Sequence, residues 1–155
     1  AKGAHARGVE RANAVTYGVD DVHVWMVARA ALMCQHLGDR SVPTVVWRAG
    51  GEDVRGIHVC VAVTDASIQM ARAVGATLIV TATPVFGNGD DLSVAGLLSD
   101  VRWAATFARL GLSCITAPAL FADVVRGNVC GSPEVVATAL LRAFPEVPVF
   151  TDVGT

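Results

Sequence analysis

The stretch that decides the fold runs from Ile57 to Phe86 and reads IHVCVAVTDASIQMARAVGATLIVTATPVF. Its first part, from Ile57 to Val63, is short, apolar and rich in β-branched residues, as buried strands usually are. Thr64 or Asp65 can then cap a helix, and a second apolar run from Thr77 to Thr81 predicts another strand. Strands this continuously apolar are buried on both faces. The stretch therefore predicts a parallel sheet with helices on both sides.

The rest of the chain continues this alternation. Further helices are predicted from periodic apolar residues at 20–37, 94–110 and 133–143. Gly75 and Gly111 are expected to end the helices that precede them, and Ser132 followed by Pro133 is expected to begin the last helix. Further strands are predicted from apolar runs at 43–47, 112–117 and 149–151. Because strands alternate with helices, we predict an α/β fold, a three-layer sandwich with a mostly parallel sheet. Residues 20–155 are expected to form this single domain, and residues 1–19 an irregular N-terminal arm.

The apolar periodicity also predicts which helical residues face the sheet. In the first helix they are Val24, Trp25, Ala28, Ala31 and Leu32, with Met26 toward the other side. In the helix after Thr64 they are Ser67, Met70, Ala71 and Val74. In the helix at 94–110 they are Val94, Leu97, Leu98, Val101, Ala105 and Ala108.

Composition limits the classes of function. Of the 155 residues, 53% are hydrophobic and 17% charged, against about 25% charged in typical globular domains. No apolar run reaches the roughly 20 residues that span a membrane. The net charge of −2 gives no sign of the basic face that nucleic-acid binders carry. The apolar excess leaves two interpretations open, a large buried core or a surface buried against a protein partner.

The four cysteines, Cys34, Cys60, Cys114 and Cys130, form no CxxC pair. Free thiols in predicted strands behave as small hydrophobic side chains. The pattern indicates a reducing compartment and not a disulfide scaffold. The cytoplasm and the mitochondrial matrix both fit, and the basic residues of the N-terminal arm do not decide between them.

Chemistry in a parallel sheet is expected beyond the carboxyl ends of the strands. The polar residues predicted there, and hence a candidate small-ligand site, are Thr64, Thr81, Thr83 and Asp90. The loop at 87–91 fits neither the phosphate-binding loop nor the calcium loop. Cys34 and His36 lie two apart on a predicted helix and so point to different faces. His58 is expected to form a local hydrogen bond or to lie at an edge of the sheet. We therefore expect no metal site, no cofactor and no catalytic nucleophile.

The order and spacing of the central elements resemble the Nif3-like proteins, the GTP cyclohydrolase 1 type 2 homologues. The matching segments are Val59–Ala62, Leu78–Phe86, Cys114–Ala122 and Arg126–Asn128. The resemblance covers roughly residues 22–142. It implies an α/β sandwich, ring-like homo-oligomers and a two-metal centre.

The resemblance fails at the metal ligands. The family's ligand positions correspond here to Ala62, Ala82, Thr83, Pro118, Leu120 and Ala122. Two bridged divalent ions need several carboxylate and imidazole donors, and these side chains supply none. The sequence therefore predicts a Nif3-like domain whose metal site has degenerated.

The expected function is a non-catalytic structural subunit or assembly partner, in a homo-oligomer or a larger complex. Two alternatives stay open. One is a metal-dependent hydrolase of the Nif3 type that uses other ligands, and the other is a small nucleotide-binding module.

Overall fold

The fold is a five-stranded sheet with helices on both faces, seen in a computed structural model that describes residues 16–33, 42–50, 53–86, 93–121 and 132–152. The strands are β1 (Thr44–Trp47), β2 (Ile57–Cys60), β3 (Leu78–Thr81), β4 (Ser113–Thr116) and β5 (Val149–Thr151). The helices are α1 (Val19–Met33), α2 (Asp65–Ala73), α3 (Val94–Leu110) and α4 (Pro133–Ala143), with a 3-10 turn at Pro118–Phe121.

The strand order is β1-β4-β3-β2-β5. Strands β2, β3, β4 and β5 run parallel, and β1 pairs antiparallel with β4 at one edge. The α/β class and the mostly parallel sheet are thus confirmed. Because the four parallel strands point the same way, their carboxyl ends share one edge of the sheet, where ligands bind in such folds.

Side-chain alternation along the strands gives each face of the sheet its own core. Ile57 and Val59 face α1 and α4 within one cluster of buried residues. Cys60 belongs to a second cluster, with Ile68 of α2 and Phe107 of α3. The helices therefore lie in pairs on opposite faces, which gives the predicted three layers.

The predicted ends of α2, α3 and α4 are confirmed in atomic detail. The side chains of Thr64, Ser93 and Ser132 accept hydrogen bonds from backbone N–H groups in the first turns of these helices. Gly75 and Gly111 follow α2 and α3 with φ of +72° and +66°. Only glycine adopts this left-handed conformation without a steric penalty.

The predicted inner face of α1 is wrong. The buried residues are Val19, Val22, Met26 and Ala30, whereas Leu32 is 89% exposed. Apolar residues occur all round this helix, so the sequence offers two competing stripes. The side of α1 that carries Met26 packs against the sheet, because the long flexible side chain of Met26 fills the core.

The predicted inner face of α3 is also wrong. Val94, Leu97, Leu98 and Val101 are exposed, and Phe107 is the only buried residue in this helix. Phe107 lies against the rings of Phe86 and Trp103 at centroid distances of 5.9 and 6.3 Å. An aromatic side chain buries more area than an aliphatic one, so the aromatic side of α3 faces the core and the aliphatic side faces solvent.

In α2, Ser67 and Ala71 are buried as predicted, together with Ile68. Met70 is half-buried, and Val74 lies past the end of the helix and is exposed. The predicted stripe of α2 is therefore confirmed at Ser67 and Ala71 and wrong at Val74, and Ile68 is a core residue that it did not include.

The beginning of the described chain is tied to the domain. Val54 donates a backbone hydrogen bond of 2.7 Å to the carbonyl of Tyr17, and Gly18 forms an antiparallel bridge with Asp53. Residues 1–15 of the predicted arm lie outside the described residues. Among the described helices, none combines the length and the apolar character that crossing a bilayer requires.

Candidate functional site

Two features occupy the carboxyl edge of the sheet. One is a buried polar cluster beneath the ends of β2 and β5, and the other is an open cleft beyond β2 and β3. The fold brings both to the edge where chemistry is expected.

The polar cluster joins His58 and Cys60 of β2 to Asp152, the residue after β5. One ligand atom from each side chain lies within 4.8 Å of the other two. His58 and Cys60 are fully buried, and the side chain of Asp152 is 19% exposed. His58 and Cys60 share a face because alternate strand residues point the same way.

Hydrogen bonds connect the members of this cluster. His58 Nε2 and Asp152 Oδ1 are joined by a hydrogen bond. The hydroxyl of Ser67 donates to Asp152 Oδ2 at 2.8 Å. Ser67 Oγ also lies 3.0 Å from Thr64 Oγ1. The carboxylate is thus held from two sides, by β2 and by α2.

The cluster's electrostatics favour a protonated thiol. Burial, and secondarily the negative charge of Asp152, raises the pKa of Cys60 to about 12, although hydrogen bonds with Ser67 and Thr81 oppose the shift. Burial and the neighbouring Cys60 likewise raise the pKa of Cys114 above its ordinary value. A thiol with so high a pKa is a poor nucleophile.

Within the described part of the chain, only one of the two ring nitrogens of His58 has a hydrogen-bond partner. Its Nδ1 atom is buried and has no hydrogen-bond partner among the described residues. A buried polar atom without a partner carries a free-energy cost. Burying this histidine on β2 therefore lowers the stability of the fold, unless Nδ1 gains a partner.

The open cleft has a volume of about 310 Å³. Ala62 and Thr83, from the loops after β2 and β3, form one wall, and Gly96, Ser99 and Asp100 of α3 form the other. Among the residues predicted for a small-ligand site, Thr83 lines this cleft.

The predicted ligand-binding threonines bond chiefly to the protein itself. Thr81 and Thr83 each donate a hydroxyl hydrogen to the carbonyl of Val61, at 2.9 and 3.1 Å. Thr64 caps α2 by accepting from the backbone N–H of Ser67 at 3.1 Å. Of these three, Thr83 lines the cleft, whereas Thr81 is buried. Asp90 lies outside the described residues, and the ligand-binding role of the set stays a prediction.

The described positions that correspond to the family's metal ligands do not bring a set of metal-binding donor atoms together. Ala82 and Leu120 are buried in the core, Ala62 lines the cleft, and Pro118 begins the 3-10 turn. Thr83 offers a hydroxyl that already bonds to Val61. Ala122 lies outside the described residues, as do the loop at 87–91, Cys34, His36 and Cys130.

Sequence reasoning missed the His58–Cys60–Asp152 cluster. Asp152 is 94 positions from His58, so no local spacing connects them. The one available signal was the histidine itself, a polar residue in a strand otherwise built to be buried. Such a residue needs a polar partner from elsewhere in the chain.

The chain has little similarity to known proteins. No family model matches the chain, and no curated protein matches it. A solved structure of a Bacillus cereus protein related to NIF3 is similar, with 15% sequence identity and a TM-score of 0.44. The match covers 61% of this chain and 27% of that one, so the chain spans about a quarter of that protein's length. The Nif3 resemblance therefore stays one of sequence order and spacing.

Proposed function

We propose that this chain is a non-catalytic α/β domain, similar to the Nif3-like proteins, that assembles with a second copy of itself through α3. The observation that carries the proposal is the α3 stripe, the solvent-facing row of Val94, Leu97, Leu98, Val101, Ala105 and Ala108. Its four large residues are between 54% and 73% exposed. Contiguous exposed apolar surface marks interaction sites.

The size gradient along the α3 stripe favours a second copy as the occupant. Large side chains stand at its N-terminal end, and the small Ala105 and Ala108 stand at its C-terminal end. The helix has 17 residues and is therefore about 25 Å long. When two copies pack antiparallel, the large residues of each helix face the alanines of the other. This is the self-complementary arrangement that a two-fold dimer requires.

One charged side chain beside the stripe, that of Arg102, is directed toward α2. Arg102 forms an ion pair of 2.6 Å with Asp65 of α2, and its guanidinium lies 5.1 Å from the centre of the Trp103 ring. An exposed pair of this kind contributes little to stability. It does hold the cation on the flank of α3, so that the stripe stays apolar.

The non-catalytic part of the proposal is supported by the chemistry of the expected site. Alanine, proline and leucine occupy positions where the resemblance implies metal ligands, and such side chains carry no donor atom. Within the cleft, the hydroxyl of Thr83 is directed to the backbone. A hydrolase of the Nif3 type would need a ligand set from elsewhere in the chain.

Light scattering coupled to size exclusion tests the assembly. The unaltered chain is expected to elute as a dimer, and the double variant Leu98→Glu, Val101→Glu as a folded monomer, because each dimer would bury four unpaired carboxylates. Leu32→Glu is the matched control, since Leu32 is an exposed aliphatic residue on a different helix. It should leave the dimer intact.

A second variant, Ala105→Phe, tests the antiparallel arrangement by filling the space that the alanine leaves for the partner. It should weaken the dimer without lowering the stability of the monomer. A monomeric unaltered chain at high concentration, or a dimer that survives both α3 variants, would contradict the proposal.

The second candidate, a small nucleotide-binding module, is favoured by the cleft. Its volume of about 310 Å³ lies at the lower limit of small-molecule pockets, about 300–1,000 Å³. A ligand that binds the folded state raises the melting temperature. A screen of nucleotides should therefore show a rise that Thr83→Val diminishes, and no response would exclude this candidate.

A further inference from the structure

We propose that His58, Cys60 and Asp152 bind one Zn²⁺ ion beneath the ends of β2 and β5. The site is distinct from the positions where the Nif3 resemblance implies metals. It uses a histidine and a cysteine of β2 and the carboxylate that directly follows the adjacent edge strand β5. The proposal does not depend on the assembly through α3, which lies on other residues.

The donor set suits zinc. Imidazole nitrogen, thiolate sulfur and carboxylate oxygen are its common protein ligands, at about 2.0–2.3 Å. Two donors of a tetrahedral ion with such bonds lie roughly 3.3–3.8 Å apart. The three ligand atoms already lie within 4.8 Å of one another. Asp152 follows the end of β5 and is partly exposed, so a small rotation of its side chain opens the space for the ion.

Charge balance gives the physical reason. A neutral imidazole, a thiolate and a carboxylate sum to −2, and the divalent cation makes the buried group neutral. Charges are tolerated in an interior when they are paired or coordinate a metal. Zinc binding would displace the thiol proton of Cys60 and replace the contact between His58 and Asp152 by two metal bonds.

Three protein ligands leave a fourth position on a tetrahedral ion. A water molecule would supply the fourth ligand, while the hydroxyl of Ser67, which donates to Asp152 Oδ2 at 2.8 Å, would orient the carboxylate. The ligands come from β2 and from the residue after β5, a strand of three residues. The ion would therefore link the short edge strand β5 to its neighbour β2.

The test uses the full chain, stripped with a chelator under reducing conditions and then titrated with Zn²⁺ and with Co²⁺. One equivalent of zinc should bind and raise the melting temperature, because the ion binds the folded state. Bound Co²⁺ should show visible absorption bands as intense as those of tetrahedral cobalt complexes. It should also show a near-ultraviolet charge-transfer band from the thiolate. Metal content after gel filtration gives the stoichiometry independently of any activity.

Three variants locate the ion. Cys60→Ser should abolish the thiolate band. Asp152→Asn and His58→Gln should each weaken zinc affinity at least about tenfold, the loss that removal of even an outer-shell partner causes. Cys114→Ser is the matched control. Its thiol is equally buried, on β4, which β3 separates from β2. It is not in the cluster, so zinc binding should be unchanged.

The proposal is overturned if the stripped chain takes up no zinc, or if the cobalt complex lacks a thiolate band. It is also overturned if Cys60→Ser and Asp152→Asn, shown to be folded by circular dichroism, bind zinc as tightly as the unaltered chain. Zinc lost only when residues outside the cluster are changed would place the ion elsewhere and refute the assignment.

Discussion

The hydroxyl of Ser67 donates a 2.8 Å hydrogen bond to the Oδ2 atom of Asp152, which joins the first turn of α2 to the end of β5. The two residues are 85 positions apart, and β5 is attached to the sheet only along β2. This bond and the hydrogen bond between His58 and Asp152 both hold the residue after β5 at the carboxyl edge of the sheet.

Replacing Ser67 by alanine should lower the free energy of unfolding by about 2 kcal/mol, because the variant removes a buried hydrogen bond to a charged group. Urea unfolding in the presence of a chelator measures the change. Gln69→Ala is the control on the same helix. Its side chain is exposed, so a change within about 0.5 kcal/mol is expected. Equal effects of the two variants would show that the Ser67–Asp152 bond contributes nothing.

The corrected orientation of α1 predicts opposite results for two residues of that helix. Met26→Ala should destabilise the fold by about 2–5 kcal/mol, since it leaves a cavity in the core. Leu32→Ala should stay within about 0.5 kcal/mol, because Leu32 is exposed. Chemical denaturation of both variants measures the difference. A larger loss at Leu32 than at Met26 would restore the helix face that the sequence pattern suggested.

Gly111 should resist substitution although space surrounds it. A Cβ atom there meets nothing within 4 Å, but the backbone φ is +66°. Alanine in this left-handed conformation costs about 1–2 kcal/mol, so Gly111→Ala should lower the midpoint of urea unfolding. Gly50→Ala is the control, since Gly50 has equal space and no positive φ. A similar midpoint for both variants would argue that α3 does not end as described.

Stability should fall in alkaline solution because of Cys114. Burial raises the pKa of this thiol in the folded state, whereas in the unfolded chain it is about 8.5. Below pH about 8.5 both states keep the proton and the contribution of this thiol is fully present. Above it, only the unfolded state releases the proton, so the free energy of unfolding falls by up to about 1.4 kcal/mol per pH unit.

Unfolding measured from neutral pH to about pH 10 checks this dependence. The comparison is with Cys114→Val, which keeps an apolar side chain at the site and has no proton to lose. The variant should lose less stability than the unaltered chain over the alkaline range. Parallel curves for the two proteins would mean that the thiol titrates alike in the folded and unfolded chains.

The sequence by itself determined the local structure of this protein. The apolar runs around Ile57 and Leu78 predicted two adjacent parallel strands, and Ser132 followed by Pro133 predicted the start of α4. Gly75 and Gly111 predicted the ends of α2 and α3. These predictions held because caps, glycine conformations and runs of β-branched residues act over a few neighbouring residues.

Tertiary structure alone decided which helix faces are buried. Both α1 and α3 carry enough apolar residues to form more than one apolar face. The face that packs on the sheet is the one whose side chains fill the space between helix and sheet. Met26 and Phe107 therefore entered the core, while Leu32 and Leu98 stayed outside. Local periodicity cannot rank two apolar stripes, since their burial depends on the shape of the surface opposite.

Tertiary structure alone also brought Asp152 to His58 and Cys60. The parallel register of β5 beside β2 sets this neighbourhood, and it joins residues that are 94 positions apart. The buried histidine on β2 was visible in the sequence. Its partner was not, because a polar group in the core is satisfied by whichever residue the fold places beside it.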